Sequence, residues 1–185
     1  MIYQAQGCII GAMVGDAAGA TLEFLGRKPT SIEVENALKL VGGGVWNTAP
    51  GQITDDGELL LALLQALIGK NEYPSLDVAI NYRRWYLSVP FDIGYTTDNA
   101  LFDGDIENPN LADLILRNAR RSNMDSKANG ALMRISPLGV WSTRVDIDSA
   151  VAAARLDARL THPNLSCQWS NAAYVVAIRH LMLSA

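Results

Sequence analysis

Cysteine and histidine are scarce here, with two of each in 185 residues. Cys8 and Cys167 lie far apart in apolar surroundings and form no Cys-x-x-Cys pair. That argues against a disulfide framework or a cysteine-based zinc site, and buried, inert thiols are expected. A basic excess is missing too: fifteen lysines and arginines against nineteen acids leave a formal net charge of −4. The cations form no stripe that could track a phosphate backbone, so nucleic acid is not an expected partner. Long apolar runs are also lacking. The apolar start of the chain has no positively charged leader, and Gln4, Gln6, Asp16 and Glu23 interrupt it far short of a bilayer-spanning length. The expectation is a soluble, cytoplasmic protein without membrane association. Strand alternation, internal repeats, low-complexity tracts and linkers are absent as well, which leaves one domain over residues 1–185 and an all-α fold.

What is present is helical periodicity. Leu59, Leu60, Leu63, Leu64 and Leu67 follow helical spacing and Gly69 supplies a stop, so a strong helix is predicted over 56–68. Further helices are predicted at 76–87, 110–121, 148–160 and 165–183, whereas the glycine- and proline-marked stretch 26–52 reads as mostly loop. From Gln4 to about Leu22, Gly7, Gly11, Gly15 and Gly19 recur every fourth residue and would line one ridge of a helix. Each glycine lowers helix stability by up to ~1 kcal/mol relative to alanine. Close packing of another helix on the ridge is the first explanation; room for a ligand beside Asp16 and Glu23 is the second.

Three segments could carry chemistry. Thr54, Asp55 and Asp56 place a hydroxyl and two carboxylates where a helix begins, and oxygen ligands of this kind suit Mg²⁺, Mn²⁺ or Ca²⁺. Asp55 as N-cap with Glu58 three residues later also satisfies a capping box, and the two readings are compatible. Ser126-Lys127-Ala128-Asn129-Gly130 is small and polar and leads into apolar Ala131-Leu132-Met133. It suits either a phosphate held by backbone N–H groups at a helix start or a simple Asn-Gly turn before a core helix. His162 lies in Thr-His-Pro at a break between helices, where local hydrogen bonding is the ordinary role; His180 sits on a helix with no argument for function. Asp92, in Phe91-Asp92-Ile93-Gly94, is another acid beside a glycine and is ambiguous by itself.

Taken in order, these segments resemble the ADP-ribosylglycohydrolase family, relatives of the dinitrogenase-reductase-activating glycohydrolase. The resemblance rests on Gly11-Ala12-Met13-Val14-Gly15-Asp16-Ala17-Ala18-Gly19 with Glu23, on Gly51-Gln52-Ile53-Thr54-Asp55-Asp56, on Asn129-Gly130-Ala131-Leu132-Met133-Arg134 with Pro137-Leu138-Gly139, and on Thr161-His162. It implies a compact orthogonal helical domain whose central cleft holds two Mg²⁺ or Mn²⁺ ions against the ribose hydroxyls of ADP-ribose. The implied activity is hydrolysis of the glycosidic bond joining ADP-ribose to a modified protein side chain or small acceptor. By the same resemblance, Thr54, Asp55 and Asp56 ligate metal; Ser126, Asn129 and Gly130 hold the diphosphate; His162 lines the nucleotide-side pocket; and Glu23 and Asp92 are the acid/base candidates. The alternative is a non-catalytic, ADP-ribose-binding or structural relative of the same fold. Two departures stand out. Ala128 replaces a frequent glycine, and the Gly-Asp-x-Asp-Thr motif that completes the family's metal site does not occur in these 185 residues. The resemblance thus covers the N-terminal part of a usual member, and little hydrolysis is expected from this chain alone.

Overall fold

Residues 1–184 are described by a computed structural model whose elements are helices: α1 (Ile2–Gly19), α2 (Ser31–Leu38), α3 (Asp55–Leu67), α4 (Ser75–Leu87), α5 (Tyr95–Leu101), α6 (Leu111–Ser122), α7 (Ser136–Trp141), α8 (Ile147–Thr161) and α9 (Leu165–Ser184), with a 3₁₀ turn at Ser142–Arg144. Among the described residues no strand forms. An isolated antiparallel bridge between Gly43 and Thr48 closes the glycine-rich loop. Among the described residues no helix is long and apolar enough to cross a membrane.

α3 supplies the centre. Its leucine spacing turns Leu59, Leu60, Leu63 and Leu67 inward, and the helix ends where Ile68 turns extended and Gly69 takes a left-handed conformation. Full burial of each such leucine contributes about 1.5–3 kcal/mol, enough to fix which face of α3 points inward. α4 with Val78 and Tyr82 and α7 with Leu138 pack against it, and α6 with Leu111 and Ile115 and α8 with its alanines Ala150, Ala153 and Ala154 extend the same core from the side of α4. These small α8 residues let α9 lie close against it, and Val175 joins the same core.

The structure departs from the sequence expectations at several points. The stretch 26–52 holds a helix, α2, started by a reciprocal capping box: Glu33 N–H donates to the Thr30 hydroxyl and Thr30 N–H to the Glu33 carboxylate. α5 and α7 are additional short helices, and Ala131–Met133 is turn rather than the start of a core helix, which begins instead at Ser136 with Pro137 in its first turn. Proline suits that place because its missing N–H would have no partner there. The glycine ridge of α1 is not packed: a Cβ added at Gly7, Gly11, Gly15 or Gly19 would meet nothing within 4 Å. Cys167 is buried as expected, but Cys8 is partly exposed.

Candidate active site

The start of α3 is held from outside the helix. Thr54, not Asp55, is its N-cap, and the Thr54 side chain makes no cap bond. Asp16 of α1 does this work: its carboxylate accepts from Thr54 N–H at 2.9 Å, Thr54 Oγ1 at 2.7 Å and Gly57 N–H at 2.8 Å. Gly57 admits that carboxylate, since a Cβ there would lie 2.7 Å from Asp16 Oδ2. Glu58 does not close a capping box; it accepts from the Trp85 indole at 2.6 Å. With α3 capped by Asp16, Asp55 and Asp56 are free to face a cavity.

That cavity has a volume of about 330 Å³ and is lined by Glu23, Asp55, Asp56 and Asp92 together with Asn129, Gly130 and His162. Seven of the nine residues singled out from the sequence therefore meet at one place. The other two stand behind it. Thr54 is buried with its hydroxyl turned to Asp16, and Ser126 shares a hydrogen bond with Thr96 between their hydroxyls at 2.9 Å. A larger cavity of about 390 Å³, between the start of α1 and the ends of α3 and α9, is walled by residues such as Ile2, Leu67 and Met182 and contains no acid. Chemistry, not size, selects the acidic one.

Electrostatics sets that site apart. Burial and the neighbouring carboxylates of Asp92 and Asp56 push Asp55 up to about 7. Burial and the charges of Asp16 and Glu23 push Asp56 up to about 6. Asp92 is raised by burial and by Glu23 and Asp16, an effect partly offset by its hydrogen bond with Asp55. Among the described residues no lysine or arginine lines the cavity. A cation would relieve this mutual repulsion, and an all-oxygen set suits a hard divalent ion. Among the same residues no three His, Cys, Asp or Glu side chains are grouped closely enough to hold an ion by themselves.

The part of the lining formed by Asn129, Gly130 and His162 is neutral. His162 is 1% exposed, shares a hydrogen bond with Thr161 Oγ1 at 2.8 Å, and is held down to about 3 by burial and by the nearby Arg134 charge. At neutral pH it is an uncharged ring. A Cβ on Gly130 would lie 2.7 Å from that ring and 3.0 Å from Thr97 Oγ1, so glycine is required there by contact. Beneath the loop, fully buried Arg134 donates to Gly130 O at 3.1 Å and Thr161 Oγ1 at 2.9 Å and pairs with Asp157 at 3.2 Å. Asp157 also accepts from the hydroxyls of Tyr82 and Tyr73. In the sequence Arg134 shows only as an arginine inside an apolar segment, the signal of a buried pair, and no local pattern marks Asp157 as its partner.

The all-helical scaffold agrees with what comparison finds. The ADP-ribosylglycohydrolase family profile matches residues 2–185, and the chain belongs to that family. It is 36% identical over 170 residues to a putative ADP-ribosyl glycohydrolase of Acanthamoeba polyphaga mimivirus, covering 87% of this chain and 50% of the relative. It is 33% identical over 161 residues to the ADP-ribosyl-[dinitrogen reductase] glycohydrolase of Rhodospirillum rubrum, covering 86% and 51%. A solved structure described as an ADP-ribosylglycohydrolase-related protein complex superposes with a TM-score of 0.75 at 26% identity, covering 97% of this chain and 56% of that one. The chain thus spans about half the length of these relatives.

Proposed function

We propose that this chain carries the carboxylate-rich half of a metal-dependent ADP-ribosylglycohydrolase site, acting on the bond between ADP-ribose and a modified protein side chain or small acceptor. The observation that carries the reading is one cavity whose lining brings Glu23, Asp55, Asp56 and Asp92, with no lysine or arginine among the described lining residues, together with Asn129, Gly130 and neutral His162. Asp55 and Asp56, with the Thr54 oxygen behind them, would hold two Mg²⁺ or Mn²⁺ ions, completed by water, substrate and ligands beyond these three. Bound there, such ions supply charge that orients sugar hydroxyls and eases deprotonation of water.

The protein's own groups do the rest. Cleavage at an anomeric carbon builds positive charge on the sugar, which a cluster of carboxylates favours. Glu23 and Asp92 are placed to pass a proton to or from the leaving group or attacking water, and the upward push on Asp92 brings it toward the range where such exchange is efficient. The Asn129-Gly130 turn and the uncharged His162 offer a neutral wall to the nucleotide side, with Ser126 bracing the loop from behind through Thr96. The cytoplasm is the compartment this reading assigns.

The test is the response of this chain to Mg²⁺ or Mn²⁺, read as a rise in melting temperature and as any release of free ADP-ribose from an ADP-ribosylated arginine peptide, with Asp55→Asn/Asp56→Asn alongside. The double variant should lose the metal response and keep its helical content, because asparagine is tolerated where helices begin. An unchanged metal response would remove the assignment.

A further inference from the structure

Glu23 is an exposed carboxylate just beyond α1, on a segment with no regular structure to hold it. An exposed glutamate ordinarily samples many rotamers, which suits a reacting group badly, because proton transfer needs a fixed geometry. Two features counter that freedom. The Trp46 indole N–H donates to Glu23 Oε2 at 3.0 Å. The loop carrying Trp46 is itself seated on the backbone leading to Glu23: Gly44, left-handed at φ 71, lies so near that a Cβ would come within 2.8 Å of Ala20 O and Thr21 Cα.

The Trp46 ring reaches further. It meets Phe24 edge to face at 6.2 Å between centroids and Phe91 likewise at 6.2 Å. Phe24 directly follows Glu23, and Phe91 directly precedes Asp92. Phe24 is 77% exposed and sits at a positive φ of 53, a conformation that costs a bulky residue energy and that packing against Trp46 helps to hold. One indole thus touches the residues next to both acid/base candidates.

We propose that Trp46 is a positioning residue: its N–H orients the Glu23 carboxylate, and its ring, packed on Phe24 and Phe91, fixes the spacing between the Glu23 and Asp92 segments. This rests on the hydrolase reading for its consequence, though not for the contact itself. Trp46 acts through Glu23 and touches no reacting atom.

The test has two arms. In ¹H–¹⁵N spectra the Trp46 indole signal, assigned by its loss in Trp46→Phe, should lie downfield as expected for a carboxylate acceptor. It should move in Glu23→Gln and stay put in Asp56→Asn. Indifference to Glu23 overturns the proposal whether or not the chain is active. In the second arm, turnover of an ADP-ribosylated arginine peptide with Mn²⁺ is measured for Trp46→Phe, Glu23→Gln and the double variant. Trp46→Phe, which keeps a ring but loses the N–H, should lower kcat by about ten- to a hundredfold with KM nearly unchanged. It should add nothing in the Glu23→Gln background; additive losses, or a change confined to KM, overturn the positioning role. In a parent chain without turnover, the outcome expected of half a site, the first arm decides: an indole signal tied to Glu23 supports the hold, and one indifferent to Glu23 overturns it.

Discussion

Arg134 has no route to water, being 0% exposed, and the nearby anion is Asp157, equally buried. Its guanidinium also lies over the Tyr82 ring at 4.3 Å, and every contact it makes is to a group that is itself fixed. The pair therefore links the floor of the Asn129-Gly130 turn to α8. Removing one charge from such a pair strands the other, at a cost of about 3–5 kcal/mol. Asp157→Asn should lower stability by that order, read as a fall in the urea midpoint at unchanged m value; a loss below ~1 kcal/mol would show that the charge finds other partners. At this scale the sequence was informative where a motif is local and silent where pairing is tertiary. Thr54-Asp55-Asp56 and Asn129-Gly130 are contiguous, so their chemistry could be read directly. Nothing in the chain order tells Arg134 to meet Asp157, or Trp46 to meet Glu23, because folding alone decides which distant residues share a site.

Among the elements, α3 shows best how one helix depends on another. Its first turn carries three acids, favourable to the helix dipole but repulsive toward one another, and its N–H groups are satisfied partly by Asp16 from α1. Asp16→Ala would leave two backbone donors without that acceptor, each worth about 1–3 kcal/mol when buried and unpaired. The expected outcome is a clear drop in melting temperature together with faster hydrogen exchange in the first turn of α3, and a smaller effect for Asp16→Asn, which keeps one oxygen. Equal exchange in the variant and the parent would place the cap elsewhere. The long helices were legible because a leucine or alanine stripe survives averaging over three turns; α3, α4, α6, α8 and α9 lie within a residue or so of their expected bounds. The short ones were not. α5 reads Tyr-Thr-Thr-Asp-Asn, poor helix formers held by packing of Thr97, Ala100 and Leu101, while α2 did carry a visible Thr30-x-x-Glu33 signature that the flanking proline and glycines obscured.

For the molecule as a whole, the all-helical class followed from the absence of strand patterning, but the concentration of negative charge at one cavity emerges only when α1, α3 and the Asp92 segment come together. That concentration has a consequence for stability. The ordinary carboxyl of an unfolded aspartate titrates near ~4. In the folded chain Asp56 titrates at about 6 and Asp55 at about 7, chiefly because burial and neighbouring carboxylates disfavour the anion. Between those limits the folded state binds more protons than the unfolded one. Stability drawn from these two groups is therefore fully present below the unfolded value, declines as pH rises through the window, and levels off above about 7. Asp92, pushed in the same direction, adds to the trend. Without divalent metal the chain should melt a few degrees higher near pH ~5 than near pH ~8, the effect kept modest by residual contact with solvent. Mn²⁺ or Mg²⁺ should reverse the slope, since a cation bound to the folded state competes with protons for the same oxygens and stabilises most where the carboxylates are ionised. Thermal melts at the two pH values, each with and without Mn²⁺, check this directly. The Asp55→Asn/Asp56→Asn chain should show a flatter metal-free pH slope and little gain from metal. If it instead keeps the parent's slope, the pH dependence arises outside the cavity.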